Sequence, residues 1–217
     1  MIDKLHYISQ SPENGSHLDA IDKVLQSGGK WIQLRVKNQP EEVVLDLALR
    51  ANSLCKSYGA KLIVNDYPEI ARAAGAYGVH LGLDDMPIKV ARKIVGDHMI
   101  IGGTANTFEH ILKRVADGAN YIGLGPYRFT STKEKLSPII GLTGYQVIMK
   151  QVRNERLDIP IIAIGGIEAE DMPLLIETGL YGVAVSGALS KDPHITEKLK
   201  IMNESLTKKM QHVKDSR

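Results

Sequence analysis

WIQLRVKNQPEEVVLDLALRANSLCKSYGAKLIVN, residues 31–65, is the stretch that decides the fold class of this chain. It begins and ends with a short apolar run, 31–35 and 61–65, and runs of this length are typical of buried strands. Between them, residues 41–58 form an amphipathic pattern that predicts a helix, and Gly59 follows where helices commonly end. A strand, a helix and a second strand in this order predict two neighbouring parallel strands joined by a crossover helix.

The same alternation continues from one end of the chain to the other. Helical patterns at 18–27, 107–117 and 170–178 are each followed directly by glycine. Eight rounds in 217 residues predict the α/β class and a single (β/α)8 TIM barrel over residues 1–217, with a flexible basic tail from about residue 207. The predicted strands are 5–9, 31–35, 61–65, 78–82, 99–103, 121–125, 160–164 and 182–186.

A doubly wound open sheet is the alternative arrangement for alternating strands and helices. A glycine fingerprint after the first strand would favour it, because that fold binds dinucleotides at this turn. The turn reads SQSPENGS (9–16) and contains no G-x-G-x-x-G pattern. The barrel is therefore the prediction.

Composition excludes several classes of function. The chain has 27 Lys+Arg against 25 Asp+Glu, and a net charge of +2 is too small to indicate a nucleic-acid partner. No apolar run approaches the ~18 residues of a membrane span. The first residues, MIDKLHYIS, lack the apolar region of an export signal, and the single cysteine, Cys55, fits a reducing compartment. We expect a soluble, cytoplasmic protein that handles small molecules.

Two cations follow the second predicted strand. Strand alternation places Gln33, Arg35 and Lys37 on one side of the chain. Arginine and lysine two residues apart at a strand end would bind a phosphate or diphosphate well. The alternative is an Arg35 paired with a carboxylate and a solvated Lys37.

Acidic residues follow the next two strands. Asn65 and Asp66 end the third strand, and Asp84 and Asp85 come just after the fourth, so all four belong to the same mouth of the barrel. Mg²⁺ is typically held by one or two carboxylates together with substrate phosphate oxygens. Asp66 with Asp84 or Asp85 therefore predicts a magnesium site, and the alternative for Asp85 is capping of the helix that begins near Pro87.

Glycines follow the last two strands, as in the phosphate site that recurs in barrels of this kind. They are Gly165, Gly166 and Gly187. The loop PYRFTSTKEKLSPIIG (126–141) is too long and polar for a routine turn and predicts a lid on the same face. Two cations, two acids, a basic loop and a glycine cradle together predict an enzyme that joins two phosphorylated substrates, one of them a diphosphate with Mg²⁺.

Histidine and nucleophile motifs add little to this prediction. His80, in the middle of the fourth strand, is predicted to be an interior histidine with satisfied hydrogen bonds rather than a base. There is no Cys-His cluster for zinc and no G-x-S-x-G pattern for acyl transfer.

Four strings together, IQLRVK, IVNDYPEIARAAGAYGVHLGLDDMP, ADGANYIGLGPYRFTSTK and IPIIAIGGI, resemble the thiamine phosphate synthase family. That family shares a superfamily with the thiazole tautomerase. The resemblance implies a (β/α)8 barrel that joins 4-amino-5-hydroxymethyl-2-methylpyrimidine diphosphate to 4-methyl-5-(2-phosphoethyl)thiazole, or its carboxylated form, and releases pyrophosphate.

The resemblance also implies roles for individual residues. It places Mg²⁺ on Asp66 and Asp85, and the thiazole phosphate on backbone groups at Gly166, Ser186 and Gly187. Pyrimidine and diphosphate binding fall on the residues Gln33, Arg35, Lys37, Asn65, Thr104, Thr130, Thr132 and Lys133, of which Arg35, Lys37 and Lys133 are the expected catalytic groups.

The chain departs from the family pattern at several positions. Thr104 replaces a serine and keeps the hydroxyl, Leu83 replaces a glutamine, and Gly187 stands where a serine is usual. Asn106 stands where the tautomerase has its acid–base histidine. The segment Glu134–Lys135 occupies positions where a lysine and an aspartate are common.

Three functions remain open on sequence grounds. The synthase is the prediction, a tautomerase-like protein is the nearest alternative, and a catalytically silent phosphate-binding or regulatory barrel is an alternative from another class. The expected partners are small phosphorylated molecules, with no nucleic acid and no membrane, and a homo-oligomer is compatible with the sequence.

Overall fold

The computed structural model describes residues 1–11, 15–129, 138–190 and 192–214, with side chains up to Thr207. Eight parallel strands form a closed barrel in which each strand pairs with the next and β8 pairs with β1. This confirms the predicted (β/α)8 barrel, and the open-sheet alternative is wrong. The strands are β1 Leu5–Ile8, β2 Trp31–Leu34, β3 Lys61–Asn65, β4 Gly78–Leu81, β5 Ile100–Ala105, β6 Tyr121–Leu124, β7 Ile161–Ile164 and β8 Gly182–Val185.

Helices connect the strands. A short 3₁₀ turn, Ala169–Asp171, precedes the seventh helix. The segment predicted to be a basic tail continues the last helix to Lys214. Among the described residues, no helix is both long and apolar enough to cross a membrane. The helices are α1 His17–Gln26, α2 Glu41–Ser57, α3 Pro68–Ala73, α4 Ile88–Val95, α5 Phe108–Ala116, α6 Gly141–Asn154, α7 Met172–Glu177, α8 Gly187–Ser190 and α9 Ile195–Lys214.

The connection from α2 to β3 shows how the sequence produces a repeated turn. Gly59 has a φ of 62°, which lies in the left-handed region that glycine adopts without steric cost. Its N–H donates to the Lys56 carbonyl at 3.1 Å, and the Ala60 N–H donates to the Cys55 carbonyl at 2.8 Å. These two bonds form a Schellman motif, which ends the helix and directs the chain into the next strand.

The barrel interior is filled near its amino end. A small apolar cluster inside the strands includes Trp31, Ile63, Tyr121 and Ile162, all almost fully buried. The buried His6 ring stacks on Trp31 with 4.7 Å between ring centroids. Side chains thus fill the amino end of the barrel interior, which leaves the opposite, carboxyl end of the strands for ligand binding.

Candidate active site

Two buried amides lie side by side at the mouth. Gln33 Nε2 donates to Asn65 Oδ1 at 2.7 Å, and both side chains are buried. Their residues lie on adjacent strands, since β2 pairs with β3. The bond fixes both amides and leaves the Gln33 oxygen as an acceptor and the Asn65 NH₂ group as a donor.

The backbone of Arg35, just after β2, is hydrogen-bonded to the residue that follows β1. Its backbone N–H donates to Ser9 Oγ at 3.1 Å, and Ser9 Oγ lies 2.9 Å from His17 Nδ1. Burial lowers the pKa of His17, and the Arg35 cation lowers it further. The low pKa favours the neutral imidazole, which fixes Ser9 Oγ behind the Arg35 backbone. Sequence reasoning missed Ser9 and His17, because neither belongs to a recognisable motif.

Lys37 forms an ion pair with Asp66. The lysine side chain is 44% exposed and the aspartate side chain 13% exposed, so the pair lies at the rim with its carboxylate turned inward. Lys37 is thus exposed to solvent, as the alternative has it, and also paired with a carboxylate. The contact brings the predicted diphosphate-binding cation next to a predicted metal ligand.

Asp66 and Asp85 form a coupled carboxyl pair. Their side chains share a hydrogen bond. Burial and the neighbouring Asp85 raise the pKa of Asp66 to about 6, although Lys37 opposes the shift. Burial acts in the same direction on Asp85, but the hydrogen bonds from Asp66 and from the Gly82 N–H outweigh it and lower the pKa of Asp85. Of the two carboxyl groups, Asp66 is therefore the one that takes up a proton as the pH falls through about 6, while Asp85 stays ionised.

This donor set fits Mg²⁺. A divalent cation can replace a proton shared by two carboxyl groups, and Mg²⁺ is usually bound by one or two carboxylates plus phosphate oxygens and water. In the described part of the chain, no group of three or more His, Cys, Asp or Glu side chains could hold a metal ion. The remaining ligands would come from substrate and water.

The structure distinguishes between the two acids after β4. Asp84 is exposed, whereas Asp85 turns back so that its Oδ2 accepts the Gly82 N–H at 2.6 Å. The alternative role of Asp85 as a helix cap is wrong, because α4 begins after Pro87 with no side-chain cap. A Cβ on Gly82 would lie 2.7 Å from Asp85 Oδ2, so a side chain at this position would displace the Asp85 carboxylate.

The backbone at Asp66 has an uncommon conformation. Its φ is 69°, and the Tyr67 N–H donates across it to the Asn65 carbonyl at 3.0 Å. Such a positive φ under a three-residue hydrogen bond is the pattern of a classic γ-turn, which is rare and strained. A non-glycine residue in this region costs about 1–3 kcal/mol, and such positions cluster at functional sites.

Thr104 is oriented by a chain of buried groups. His80 Nε2 lies 3.0 Å from Thr104 Oγ1, and His80 Nδ1 lies 3.0 Å from the Tyr121 hydroxyl. Burial raises the pKa of Tyr121, so the phenol keeps its proton. The His80 ring therefore bridges the phenol and the Thr104 hydroxyl and fixes the position of Thr104 Oγ1. The prediction that His80 is a satisfied interior histidine is confirmed.

Two glycines make room for this chain of groups. A Cβ on Gly102 would lie 2.5 Å from His80 Nδ1, and one on Gly123 would lie 3.0 Å from His80 Cε1. The glycines in the fifth and sixth strands therefore allow a large ring inside a narrow barrel.

The glycines after β7 support the first turn of the loop after β6. Gly166 has a φ of 68°, and a Cβ there would lie 2.4 Å from Arg128 Cγ. Arg128 is held in turn by an ion pair between its Nη2 and Asp171 Oδ1 at 2.6 Å. Gly166 thus lies at the mouth with its backbone in close contact with a cationic side chain.

Ser186 and Gly187 lie at the end of β8. The Ser186 hydroxyl donates to the Ile8 carbonyl at 2.5 Å, so its side chain ties β8 to β1. Gly187 begins α8, and the first N–H groups of a helix have no acceptor inside it. The Ser186 hydroxyl is therefore used within the barrel, and the backbone N–H of Gly187 lies at the start of a helix.

A family model described as thiamine monophosphate synthase matches residues 5–189 of the chain. The chain belongs to the thiamine monophosphate synthase family. A thiamine-phosphate synthase of Flavobacterium psychrophilum is 46% identical over 206 residues, which cover 95% of this chain and 100% of the relative. One from Bacteroides fragilis is 47% identical over 196 residues, covering 90% and 96%.

A solved structure supports the same assignment. It is the thiamine phosphate pyrophosphorylase from Pyrococcus furiosus, which is 30% identical and superposes with a TM-score of 0.80. The match covers 94% of this chain and 96% of that chain. The predicted family is confirmed.

Asn106 has a structural use in this chain, which belongs to the thiamine monophosphate synthase family. Its buried Nδ2 donates to the Gly125 carbonyl at 2.9 Å and to the Pro138 carbonyl at 2.8 Å. Both donors of the amide are therefore used to hold the two ends of the loop after β6. The amide has no proton to give to a substrate ring and no capacity to accept one near neutral pH.

Three residues that family membership suggests for the site, Thr130, Thr132 and Lys133, lie outside the described residues, as does the segment 134–135. The described ends of their loop are anchored at the mouth. The Tyr127 N–H donates to the Ile164 carbonyl, and the Ile140 N–H donates to the Pro126 carbonyl, both at 2.9 Å.

Proposed function

We propose that this protein is a thiamine-phosphate synthase that joins 4-amino-5-hydroxymethyl-2-methylpyrimidine diphosphate to the thiazole phosphate, or its carboxylated form, and releases pyrophosphate. The observation that carries the proposal is the coupled Asp66–Asp85 pair beside Lys37 at the mouth of the barrel. A carboxyl pair next to a cation suits a diphosphate that arrives with a divalent metal ion.

The diphosphate would bind on the β2–β4 side. Asp66 and Asp85 would hold Mg²⁺, which offsets the charge of the diphosphate oxygens. Arg35 and Lys37, together with Lys133 from the loop, would stabilise the negative charge that grows on the departing pyrophosphate. The Ser9 bond to the Arg35 backbone fixes the point from which this guanidinium extends.

The pyrimidine would lie against the two amides. The exocyclic amine of an aminopyrimidine is a donor, and the acceptor that Gln33 retains matches it. The donor that Asn65 retains suits a diphosphate oxygen, and the Thr104 hydroxyl is a further donor on the β5 side. The Gln33–Asn65 bond orients both groups before substrate binds, which lowers the entropic cost of reaction.

The chemistry requires no general base. The bond between the pyrimidine methylene carbon and the diphosphate oxygen breaks, and its electron pair leaves with pyrophosphate. The lone pair of the thiazole nitrogen then forms the new carbon–nitrogen bond. With the uncarboxylated thiazole phosphate no proton is transferred in this exchange, which agrees with the structural use of His80 in orienting Thr104. The carboxylated form must in addition lose its carboxyl group as CO₂ and take up a proton at that ring carbon.

The thiazole phosphate would bind across the mouth, on backbone groups at Gly166, Ser186 and Gly187. This separates the two anionic sites, since β7 and β8 lie away from β3 and β4 in the closed strand order. A thiazole ring bound in this way would lie between its phosphate and the pyrimidine.

A turnover assay with both substrates and Mg²⁺ tests the proposal. We expect thiamine phosphate and pyrophosphate in equal amounts, and neither product when one substrate is omitted. Tautomerisation of the carboxylated thiazole alone, with no pyrophosphate release from the pair, would instead indicate a tautomerase. Binding of both substrates without any product would indicate a catalytically silent barrel.

A further inference from the structure

We propose that Arg114 is a positioning residue that sets the affinity of the Asp66–Asp85 pair for a divalent cation. The proposal rests on the metal site put forward above. Arg114 belongs to α5, on the outer layer of the barrel, and its guanidinium bonds to backbone carbonyl groups at the strand ends. It acts through the turn that carries Asp85.

The guanidinium of Arg114 joins the ends of two strands. The side chain is only 6% exposed. Nε donates to the Thr104 carbonyl at 3.0 Å, and Nη2 donates to the Gly82 carbonyl at 2.7 Å. Both acceptors lie at the carboxyl ends of their strands, so one planar group fixes the spacing between the β4 and β5 ends of the mouth.

Gly82 links Arg114 to the carboxyl pair, because its backbone is bonded to both Arg114 and Asp85. Its carbonyl accepts from Arg114, and its N–H donates to Asp85 Oδ2 at 2.6 Å. A shift of Gly82 would therefore change the direction of the Asp85 carboxylate relative to Asp66. The Asp85 carboxylate also attracts the guanidinium across this turn, as does Asp117.

The surrounding residues are shaped around the arginine. A Cβ on Gly103 would lie 3.0 Å from Arg114 Cδ and 3.0 Å from Ile88 Cδ1. The absence of a side chain at Gly103 thus leaves room for Arg114 to reach the strand ends. Groups that orient metal ligands from behind typically change metal affinity by about 10–100-fold when they are removed.

Arg92 provides a matched control. It lies on α4, and its Nη1 donates to the Gly96 carbonyl at 2.8 Å and the Met99 carbonyl at 2.6 Å. Its Nη2 donates to Asn120 Oδ1 at 2.8 Å. Arg92 therefore bridges separate backbone segments, as Arg114 does. It does so at the amino end of the barrel, the end opposite to the two acids.

The experiment measures Mn²⁺ binding directly, from the electron paramagnetic resonance signal of the free ion, with no substrate present. We expect Arg114→Met to raise the Mn²⁺ dissociation constant by at least about 10-fold, and Arg114→Lys to give an intermediate value because it keeps the charge but loses the fork. Arg92→Met should lower the melting temperature without changing Mn²⁺ affinity.

Two outcomes would contradict the proposal in different ways. Wild-type Mn²⁺ affinity in both Arg114 variants, with binding lost in Asp85→Asn, would overturn the role of Arg114 alone. Wild-type affinity in Asp85→Asn would overturn the metal site and this role with it. If Arg114→Met does not fold, Arg114→Lys and Gly103→Ala carry the test, and both are expected to weaken Mn²⁺ binding.

Discussion

The carboxyl groups of Asp66 and Asp85 share one hydrogen bond at the mouth of the barrel, although they follow different strands. Asp66 reaches this position through a left-handed backbone, and Asp85 through a turn closed on Gly82. Two local conformations, each uncommon or restrictive, are thus combined to bring two like charges together. Such an arrangement is costly unless a proton or a cation lies between them.

The first prediction concerns the choice of acid after β4. Asp85→Asn should lower turnover by on the order of 10²-fold or more at fixed Mg²⁺, because a ligand for the metal is lost. Asp84→Asn is the matched control and should leave turnover unchanged, since Asp84 is exposed. Turnover and Mg²⁺ dependence are measured together. Full wild-type activity in excess chelator would contradict the prediction.

The second prediction concerns pH. The pKa of Asp66 is raised from 3.8 to about 6 in the folded protein. Between about pH 4 and pH 6 the folded state therefore binds more protons than the unfolded state, so the contribution of Asp66 to the free energy of unfolding falls as pH rises. Urea unfolding near both ends of this window should show Asp66→Asn gaining stability relative to wild type at the higher pH.

The control for this prediction is the metal itself. Mg²⁺ that replaces the shared proton should stabilise the wild-type protein more above pH 6 than below it, because protons compete for the same carboxyl groups. Parallel stability profiles of the wild type and Asp66→Asn across the window would show that the Asp66 pKa is not raised.

The third prediction separates the two anionic sites. Lys37→Ala should lower kcat/KM for the pyrimidine diphosphate by on the order of 10²-fold, because a charged donor to the leaving group is lost. Affinity for the thiazole phosphate, measured by calorimetry, should not change. Lys89→Ala is the control: Lys89 is also an exposed lysine in an ion pair, with Asp117 at 3.3 Å. Equal losses at both sites would argue against two separate anion sites.

The fourth prediction concerns the glycine after β7. Gly166→Ala adds a Cβ at a φ of 68° and 2.4 Å from Arg128 Cγ, so the backbone donors must move. The thiazole phosphate dissociation constant should rise on the order of 10-fold, which is about 1.4 kcal/mol. Gly179→Ala also meets a positive φ, 100°, but after α7, and should cost stability without changing this affinity.

The fifth prediction concerns the anchoring of the loop that carries Lys133. Asn106→Ala leaves two carbonyl groups without a donor and should lower the free energy of unfolding by about 1–3 kcal/mol. Asn52→Ala is closely matched, because buried Asn52 Nδ2 donates to the Ala74 and Gly75 carbonyls at 2.8 and 2.9 Å. Both variants should lose similar stability in urea unfolding. Only Asn106→Ala should also lower turnover, and equal turnover in the two would contradict a functional role for the anchor.

The barrel itself could be predicted because each parallel strand is buried on both faces and so reads as a short apolar run. All eight predicted strands overlap the observed ones, including 31–35 and 61–65 in the segment that decided the fold. The residues at strand ends could be predicted for the same reason, since the carboxyl ends of all strands meet at one mouth. Gln33 and Asn65 came together as this rule requires.

The other features of the site depend on contacts that the spacing of residues in the sequence does not predict. Asp84 and Asp85 are adjacent in sequence, and only the bond from the Gly82 N–H decides which of them turns inward. Arg114 lies on a helix, where an arginine ordinarily extends into solvent, and the missing Cβ of Gly103 is the one feature of the sequence that accompanies its burial. The pairing of Lys37 with Asp66 likewise joins residues 29 positions apart.

The filled amino end of the barrel determines the route by which ligands enter and leave. Trp31, Tyr121 and Ile162 fill the interior near its amino end, so in the described part of the chain a ligand approaches the interior from the carboxyl end. Both substrates of the proposed reaction would therefore arrive, and both products would leave, through the same mouth. We expect pyrophosphate to inhibit by occupying the anion site of the pyrimidine diphosphate until it departs.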